Sequence, residues 1–442
     1  MRFLYILALY LAAPLICAVM LWRGIRDRSY WANFRERFGF GEYLQPPGIW
    51  VHAVSVGEVQ AAAALVGTLR ERYPAVPVIV TTLTPTGAQR ARTLFKDLAH
   101  VRYIPFDLPG AVRRFFNRVQ PRLAVIFETE LWPNLYHECG RRRVPLVLAS
   151  ARISPRSVSR YRRLGALFRD ALSRGIVIAA QGESDADRFR SLGADPDRTH
   201  VTGNIKFDFS VPLDMAARGR RLRERYGAAR PVWVAGSTHG GEEEMILEAH
   251  RIVRAAHPGA LLVLVPRHPT RCNEVADGME RDGVRFVRRS QQTEARAPDP
   301  KVSTDADPPA VASGSADGRL VEVLLVDTLG ELLDFYAAAD VAFVGGSLVP
   351  IGGHNLLEPA ALGVPILTGP YNSNGEDIAR LLVSRGAAEV VRDASQLGAR
   401  AAVLLSDPGE RARIGESGRA CVDRNRGALA KLLGLIEPLL RE

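Results

Sequence analysis

The sequence predicts an α/β protein with two domains, each built on a parallel β-sheet. Short apolar runs of strand length alternate with helical patterns along most of the chain, which is typical of a parallel sheet with helices on both faces. The alternation stops over 209–230, a charged stretch without a strand signal, and then starts again. We therefore expect two Rossmann-like halves that face each other across a ligand cleft, at the carboxyl ends of their strands.

The candidate strands are short apolar runs on both sides of the charged stretch. Those before it are Ile49–Ser55, Val78–Thr84, Val101–Phe106, Leu123–Thr129, Pro145–Ala151, Gly175–Gln181 and His200–Gly203. Those after it are Val232–Ser237, Ala260–Pro266, Val284–Val287, Glu322–Val326, Val341–Gly345 and Pro365–Thr368. Helical patterns fill the intervals, for example Val59–Arg72 and Ala111–Val119.

The same patterns divide the chain into segments. In chain order we expect a membrane-anchor helix at 1–24, an N-terminal domain at 25–208, a linker at 209–230, a C-terminal domain at 231–425 and a C-terminal helix at 426–442. Residues 290–318 are rich in Pro, Asp, Ser and Ala and have almost no large apolar side chain. We predict that they form a disordered surface insertion in the C-terminal domain.

The composition excludes several classes of protein. Apolar residues make up 47% and charged residues 24%, which excludes wholesale disorder, collagen and coiled coil. The 4 cysteines lie far apart without a C-x-x-C pair, so a disulfide scaffold and a Cys-based zinc site are disfavoured. The formal net charge is +10, and most of the 58 basic residues are arginines. Such a surface predicts an anionic partner, namely nucleic acid, anionic lipid or a phosphorylated substrate.

The amino-terminal segment favours a membrane. Phe3–Trp22 contains no charged residue, and as a helix it is about 30 Å long, enough to cross the hydrocarbon core of a bilayer. Arg2 precedes the run, and a larger group of arginines follows it. The positive-inside rule then places the domains in the cytoplasm, on the inner membrane. The alternatives are a buried helix or a cleaved signal peptide, although the charge order and the missing A-x-A site disfavour a signal peptide.

Residues 30–40 interleave aromatic side chains with arginines. This mixture suits an anionic membrane surface, with rings at the level of the headgroups and guanidinium groups on lipid phosphates. The alternative is a helix that packs on its own domain. Because no compact basic module is present, we expect a membrane surface rather than nucleic acid as the partner.

Three segments with acidic or basic side chains at strand ends are candidates for catalysis. In Val51–Glu58 a strand ends, a glycine turns the chain and an Ala-rich helix begins, so Glu58 lies near a helix N-terminus. One interpretation is a carboxylate that stabilises the helix dipole. The other is a general base in the ligand cleft, provided that desolvation raises its pKa more than the helix N-terminus lowers it.

The second candidate is the pair Glu128 and Glu130, at the end of the fourth strand. On an extended chain two carboxylates at this spacing point to one side and repel each other. We expect a turn that lets one face the cleft while the other pairs nearby. The third candidate is Lys206, one of few lysines in an arginine-rich chain, which favours a role for a compact point charge over a solvated cation.

Glycine-rich turns and polar side chains follow strands of the second half. These segments are Ala235–His239, Pro266–Pro269, Leu329–Glu331, Gly345–Ser347 and Gly352–Pro359. Glycines let backbone N–H groups approach a phosphate, helix N-termini favour anions, and Arg267 and His268 add donors. The spacing of Asn355 and Glu358 also fits a helix-capping box, which is the alternative.

Other nucleotide-binding and metal motifs are weak or missing. The chain has neither G-x-x-x-x-G-K-[ST] nor G-x-G-x-x-G after its first strand, which disfavours P-loop NTPases and dinucleotide dehydrogenases. The D-x-D pairs at 185–187, 195–197 and 305–307 do not end a strand at the cleft. We therefore expect no bound metal and no cofactor.

Several segments together, in this order, resemble the 3-deoxy-D-manno-octulosonic acid (Kdo) transferase family of lipopolysaccharide synthesis. They are Val51–Glu58, Thr82–Gly87, Glu128–Asn134, Gly203–Asp208, Pro266–His268 and Gly352–Pro359. The resemblance extends from the anchor to about Val390, and only Ser290–Gly318 looks foreign to the family.

The resemblance implies a GT-B fold with an N-terminal acceptor domain and a C-terminal nucleotide-sugar domain. It implies inverting transfer of Kdo from CMP-Kdo to a lipid A precursor (lipid IVA) without a metal. Glu58 matches the proposed base, and Glu128 and Lys206 match groups proposed to stabilise the transition state. The residues that match CMP-binding segments are Arg267, His268, Leu329, Gly330, Glu331, Asn355, Leu356, Leu357 and Glu358.

Two other functions stay open at this point. One is a membrane-associated GT-B transferase that uses a UDP-sugar, which a comparison of CMP-sugar and UDP-sugar binding separates. The other is a non-catalytic, membrane-tethered protein that binds nucleotides or lipids, which would tolerate the loss of Glu58.

Overall fold

The computed structural model describes residues 1–163, 165–172, 175–294 and 321–441. Within these ranges the chain forms two compact units, one made of 1–209 with 425–442 and the other of 210–424. Each unit contains a seven-stranded sheet, and all the strand pairs are parallel. The predicted two-domain α/β fold is confirmed.

The first unit carries its strands in the order β3-β2-β1-β4-β5-β6-β7. The strands are β1 Ile49–His52, β2 Val78–Thr82, β3 His100–Tyr103, β4 Leu123–Phe127, β5 Leu146–Ala151, β6 Val177–Ala180 and β7 Thr199–Val201. Because the chain moves outward in one direction from β1 and in the other from β4, the crossovers diverge between these two strands. Such a switch point opens a crevice at the carboxyl ends of the strands.

Helices cover this sheet on both faces. They are Val56–Arg72, Pro85–Leu94, Pro109–Val119, Pro133–Arg142, Pro155–Arg163, Gly165–Leu172, Glu183–Ser191 and Ala428–Arg441. Their starts are readable in the sequence: Ser55 and Thr84 are N-caps that accept hydrogen bonds from Glu58 N and Gly87 N. Proline occupies the first turn of several others, where its missing N–H costs nothing.

The second unit repeats this plan in the order β10-β11-β9-β8-β12-β13-β14. Its strands are β8 Val232–Thr238, β9 Leu261–Pro266, β10 Phe286–Arg288, β11 Val323–Leu325, β12 Val341–Val344, β13 Ile366–Thr368 and β14 Ala388–Val390. Its helices are Met215–Tyr226, Glu243–Ala256, Cys272–Arg281, Arg289–Glu294, Leu332–Ala338, Leu357–Leu362, Glu376–Ser384, Ala394–Ser406 and Pro408–Asn425. The switch point lies between β8 and β12. Strand β14, which the sequence did not predict, is a short, partly exposed edge strand.

The stretch 209–230, expected as a linker, contains a helix that packs on the second unit. A Cβ on Gly219 would lie 2.5 Å from the carbonyl oxygen of Ala337, so the two backbones touch. Arg223 donates to Asp340 at 2.8 Å, and the Tyr226 hydroxyl donates to Gln292 at 2.8 Å. The sequence concealed this role because the helix is strongly charged and contacts its neighbour through a glycine.

Two predicted segments remain, namely the C-terminal helix and the insertion at 290–318. The C-terminal helix Ala428–Arg441 belongs to the first unit, where Asp208 accepts hydrogen bonds from Gly427 N and Leu429 N. The insertion predicted for 290–318 lies outside the described residues from 295 onward, as does the D-x-D pair at 305–307. Residues 290–294 belong to the helix Arg289–Glu294.

The aromatic and arginine-rich segment 30–40 packs on its own domain over much of its length. Arg37 is 1% exposed, donates to the carbonyl of Leu83 at 3.0 Å and lies over the ring of Tyr103. The rings of Phe38 and Phe106 meet edge to face, 5.4 Å apart. This is the arrangement that the sequence left as the alternative to a membrane interface.

One helix in the described part of the chain, Arg2–Arg26, is long and apolar enough to cross a membrane, with a mean hydropathy of 2.4 over its most apolar window. It is compatible with the predicted membrane anchor.

The contact of Gly219 predicts a stability difference between two glycine substitutions. We expect Gly219→Ala to destabilise the protein by about 1–3 kcal/mol, because the added methyl group meets backbone rather than a movable side chain. The matched control is Gly67→Ala in the helix Val56–Arg72, where a Cβ meets nothing within 4 Å. Helix propensity should make that variant more stable by about 0.5–1 kcal/mol. Urea unfolding of both full-length variants measures the difference, and equal shifts would contradict the packing of 209–230 on the second unit.

Candidate active site

The predicted site residues form two groups, one at the carboxyl edge of each sheet. In the first unit, Glu58 follows β1 and Glu128 follows β4, so both lie at the switch point of the sheet. In the second unit, polar residues follow β8 and β12, the strands at the equivalent position. The sequence motifs are therefore placed where open α/β sheets bind their ligands.

Glu58 is held by a reciprocal capping box at the start of the helix Val56–Arg72. One carboxylate oxygen accepts from Val54 N at 2.9 Å and the other from the Ser55 hydroxyl at 3.0 Å. Ser55 Oγ in turn accepts from Glu58 N. These hydrogen bonds give the acid a structural role at the helix N-terminus and fix the orientation of its carboxylate.

The capping hydrogen bonds do not determine the direction in which the pKa of Glu58 is shifted. Its side chain is buried, and burial together with the charge of Glu128 raises its pKa to about 7. The hydrogen bonds from Val54 and Ser55 act in the opposite direction but are outweighed. A carboxylate in this state exchanges its proton near neutral pH, as a general base requires.

Glu128 and Glu130 diverge, as the sequence predicted. Glu128 has a φ of 56°, in the left-handed region, which turns the chain directly after β4. Glu128 accepts from Lys206 Nζ at 2.8 Å. Glu130 accepts from the indole N–H of Trp132 at 2.6 Å, and burial raises its pKa. Because of this turn, Glu128 forms an ion pair with Lys206, whereas Glu130 forms a local hydrogen bond with Trp132.

Lys206 reaches Glu128 because the chain folds back after β7. The residues after this strand cross the carboxyl ends of β6 and β5: Asn204 Nδ2 donates to Gln181 at 3.2 Å and Ile205 N donates to the Ser150 hydroxyl at 3.0 Å. A short 3-10 turn, Ile205–Asp208, then presents the ammonium group. Lys206 and Glu128 are only 25% and 19% exposed, so water screens their attraction incompletely.

In the second unit a buried carboxylate shapes the loop after β12. Glu242 is 0% exposed and accepts hydrogen bonds from four backbone N–H groups. Their donors are His239 at 3.1 Å, Gly346 at 2.6 Å, Ser347 at 2.9 Å and Leu348 at 2.8 Å. One side chain thus ties the ends of β8 and β12 together. The turns on both sides of this carboxylate are visible in the sequence, but no local pattern marks Glu242 itself.

Three histidines lie close together after these strands, namely His239 after β8, His268 after β9 and His354 after β12. Nε2 of His239 and Nε2 of His354 are 2.8 Å apart, and the two ring planes are parallel with a centroid distance of 5.1 Å. His268 approaches His239 edge to face at 5.7 Å. A hydrogen bond between two imidazoles needs one N–H and one bare nitrogen, so at least one ring is neutral.

The environment disfavours the protonated forms of His239 and His354. Burial, with the positive charges nearby, lowers the pKa of His354 to about 4, and burial lowers that of His239. Gly346, at a φ of +68°, lets the His354 ring come close, since a Cβ there would lie 3.0 Å from it. Only the combination of Gly-Gly-His with a distant His-containing segment could have signalled this pair in the sequence.

The predicted nucleotide-binding residues of the second unit lie in three segments. Arg267 and His268 follow β9 and are exposed, so their donors are available to a ligand. Asn355 donates to Glu358 at 3.0 Å and accepts from Leu357 N, as in a capping motif. Burial raises the pKa of Glu358, whereas Leu356 and Leu357 are buried in the core.

The segment Leu329–Glu331 has a different character. Glu331 forms a two-pronged ion pair with Arg289, whose nearest nitrogen is 2.7 Å away, and accepts from Thr328. Leu329 is 79% exposed, and Gly330 has a φ of +88°. The Glu331 carboxylate is thus committed to protein partners, while Leu329 and the backbone of Gly330 lie at the surface.

Across the described ranges, no group of three or more His, Cys, Asp or Glu side chains has an arrangement that could hold a metal ion.

The charge of Glu128 is one cause of the raised pKa of Glu58, and its removal should therefore lower that pKa. We expect Glu128→Gln to move the titration of Glu58 to lower pH, measured by NMR of ¹³C-labelled glutamate carboxyl groups. Glu71→Gln, at the exposed far end of the same helix, is the matched control and should leave the titration in place. An unchanged Glu58 titration in Glu128→Gln would show that burial alone sets the pKa.

We expect Glu242 to contribute more to the free energy of unfolding than Glu244, two residues later in the chain. A glutamine offers one acceptor oxygen in place of two, so Glu242→Gln leaves buried N–H groups without partners and should cost about 2–4 kcal/mol. The control Glu244→Gln changes an exposed side chain and should stay within about 0.5 kcal/mol of the parent. Chemical unfolding compares the two, and similar stabilities would refute the loop-ordering role of Glu242.

Comparisons with known proteins identify the family of the chain. Residues 32–209 match a family model for 3-deoxy-D-manno-octulosonic-acid transferase (kdotransferase). The chain is 40% identical to the 3-deoxy-D-manno-octulosonic acid transferase of Haemophilus influenzae and 37% identical to that of Bordetella pertussis, over 99% of all chains concerned. The fold is similar to that of Anabaena HepE in complex with UDP, with a TM-score of 0.52 and 15% identity over 89% of this chain and 100% of that one. The chain, with its two GT-B-like domains, therefore belongs to the Kdo transferase family of glycosyltransferases.

Proposed function

We propose that this protein transfers Kdo from CMP-Kdo to a lipid A precursor, lipid IVA, in lipopolysaccharide biosynthesis. The transfer inverts the configuration at the anomeric carbon, and Glu58 is the general base. The family membership supports the choice of sugar. The observation that carries the mechanism is a buried carboxylate with a pKa near 7, next to the ion pair of Lys206 and Glu128.

Glu58 is suited to deprotonate an acceptor hydroxyl. Its carboxylate accepts one hydrogen bond on each oxygen, and a carboxylate has about four lone-pair sites, so it keeps capacity for a hydroxyl proton. The capping box holds its orientation, which lowers the entropic cost of aligning base and acceptor. After proton transfer, burial favours the neutral carboxylic acid that forms.

Lys206 and Glu128 are suited to the charges of the sugar. In an inverting displacement the anomeric carbon gains positive character while the sugar carboxylate stays negative. We propose that the Lys206 ammonium binds the Kdo carboxylate and that Glu128 both holds Lys206 in place and stabilises positive charge on the ring. Both groups are largely desolvated, so their fields are stronger than in water.

The second unit is suited to bind the CMP leaving group. Arg267, His268 and the glycine-rich turns at β8 and β12 offer N–H donors to the phosphate. Glu358 accepts from the ribose hydroxyls, and Leu329, Gly330 and Asn355 complete the nucleotide site. Because the departing phosphate needs no proton, positive potential from the protein is sufficient, and we propose that the reaction uses no metal and no cofactor.

Membrane attachment completes the proposal. The acceptor carries acyl chains and phosphates, and the chain offers an apolar helix and a net charge of +10. We propose that the protein acts at the cytoplasmic side of the inner membrane, on an anionic surface.

The test compares the parent protein with Glu58→Gln. Purified protein is incubated with CMP-Kdo and tetraacylated lipid A precursor, and the products are read by mass spectrometry. We expect products heavier by one or more Kdo units from the parent and a loss of at least about 100-fold in rate for the variant. Equal rates would exclude Glu58 as the base, and preferential binding of a UDP-sugar would exclude CMP-Kdo as the donor.

The variant should stay folded, which makes a loss of activity interpretable. Because its pKa is raised, Glu58 stays protonated in the folded protein between about pH 4.5 and 7, whereas in the unfolded chain it is ionised. The free energy of unfolding of the protein therefore decreases as the pH rises through that window. Glutamine avoids this cost, and it can accept from Val54 N and donate to Ser55. We expect Glu58→Gln to be at least as stable as the parent at pH 8 and to bind CMP unchanged.

The same pKa predicts the pH dependence of the parent enzyme. Protonation of Glu58 removes the base, so kcat/KM should fall about tenfold per unit below a pH of about 7. Initial rates between pH 5 and 9 with the same substrates measure this limb. A flat profile across this range would contradict a base with the pKa of Glu58.

A further inference from the structure

We infer that the apolar helix Arg2–Arg26 does not cross the bilayer but lies in the plane of one leaflet, with its first turn on the cytoplasmic domain and the chain after its last turn returning to the same side. Its partner is the headgroup and upper acyl region of an anionic phospholipid leaflet. The inference concerns only the first unit and does not depend on the reaction that the enzyme catalyses.

The first turn of the helix is bound to the folded domain. The Tyr5 hydroxyl donates to the Asp107 carboxylate at 2.9 Å, and Arg2 Nε donates to the Asn134 side chain at 3.1 Å. Asp107 and Asn134 are 4% and 1% exposed. They also bind each other, since Asp107 accepts from Asn134 N and Asn134 donates to the Asp107 carbonyl. The helix therefore begins on a buried polar pair of the domain.

The chain returns from the far end of the helix to the same region. Trp31 donates its indole N–H to the Leu21 carbonyl at 3.1 Å and covers Gly24. A few residues later Phe38 packs on Phe106, the residue next to Asp107. The first turn of the helix and the segment that follows its last turn thus contact one part of the domain.

This arrangement is incompatible with a spanning helix. A helix of 25 residues is about 37 Å long. In a spanning orientation one of its ends lies on the far side of the bilayer, away from the domain. If the first turn were there, Arg2 and Tyr5 would be separated from Asn134 and Asp107. If the last turn were there, the charged segment 23–28 would have to return through the hydrocarbon core, where each charge costs several kcal/mol.

The exposed side of the helix is suited to lipid. Large apolar residues cover it: Phe3, Leu4, Leu7, Leu11, Leu15, Val19, Leu21, Trp22 and Ile25 are between 41% and 76% exposed. The less exposed positions recur every three or four residues, at Tyr5, Ile6, Leu9, Ala12, Ala13, Cys17, Met20 and Gly24, and so form one stripe along the helix. An in-plane helix buries such an apolar face about 5–10 Å into the headgroup and acyl boundary.

Basic groups flank the helix at both ends, where lipid phosphates would lie. A cavity of about 330 Å³ beside the first turn is lined by Arg2, Arg113, His137 and Arg141, with Glu138 as its acid. At the last turn, Arg23 lies over the ring of Tyr30 and Arg26 over that of Trp22. Positive charge at both ends fits a helix parallel to one anionic surface, whereas a spanning helix keeps its positive charge mainly at the cytoplasmic end.

The test locates the start of the helix relative to the catalytic domains. An uncharged Gly-Ser-Cys-Ser-Gly peptide is fused ahead of Met1, in a chain where Cys17→Ser removes the one native cysteine that is not buried. A second chain carries Leu213→Cys instead of the peptide, at a fully exposed position of the second unit. Both are treated with a membrane-impermeant maleimide, in intact spheroplasts and in inside-out vesicles.

We expect both cysteines to be labelled in inside-out vesicles and neither in intact spheroplasts. Labelling of the peptide in intact spheroplasts, with Leu213→Cys labelled only in inside-out vesicles, would overturn the inference, as would a peptide that is labelled in neither preparation. A spin label on Leu15→Cys gives the depth in anionic vesicles: about 5–10 Å below the phosphates supports the in-plane helix, and the bilayer centre overturns it.

Discussion

The constraint on which both halves of this protein depend is that the carboxyl ends of parallel strands share one edge of a sheet. Where the strand order diverges, between β1 and β4 in one unit and β8 and β12 in the other, the crossover helices separate and leave that edge open. Glu58 and Glu128 follow the first pair of strands, and Glu242 joins the loops of the second. Within each unit, residues far apart in the sequence thus meet because the topology leaves one edge of the sheet open.

At Glu58, a structural role and the proposed catalytic role coincide in one side chain. The capping box with Ser55 stabilises the helix N-terminus and would by itself keep the carboxylate ionised. Burial and the nearby Glu128 oppose it and prevail, so the group titrates near neutral pH. The fold therefore obtains a carboxylate of fixed orientation and of useful basicity from the same contacts.

Most strands and several site residues could be predicted from the sequence, because the patterns that indicate them are local. Strand-length apolar runs predicted nearly every strand, and turn residues after them marked Glu58, Glu128 and Lys206. The signals failed where contacts are between distant segments. The charge of Met215–Tyr226 concealed its packing through Gly219, the segment 30–40 docks on the domain through the buried Arg37, and Glu242 was one of three adjacent acids with nothing local to distinguish it.

The sequence by itself determined the two α/β domains, the apolar N-terminal helix and the identity of the residues at the strand ends, since hydrophobic period and turn chemistry act over a few residues. The tertiary structure decided which of those residues act together. Lys206 reaches Glu128 only because the chain crosses back over β6 and β5, and His239 meets His354 only through the loop that Glu242 orders. Burial, which sets the pKa of Glu58 and of His354, is a property of that packing and of no single segment.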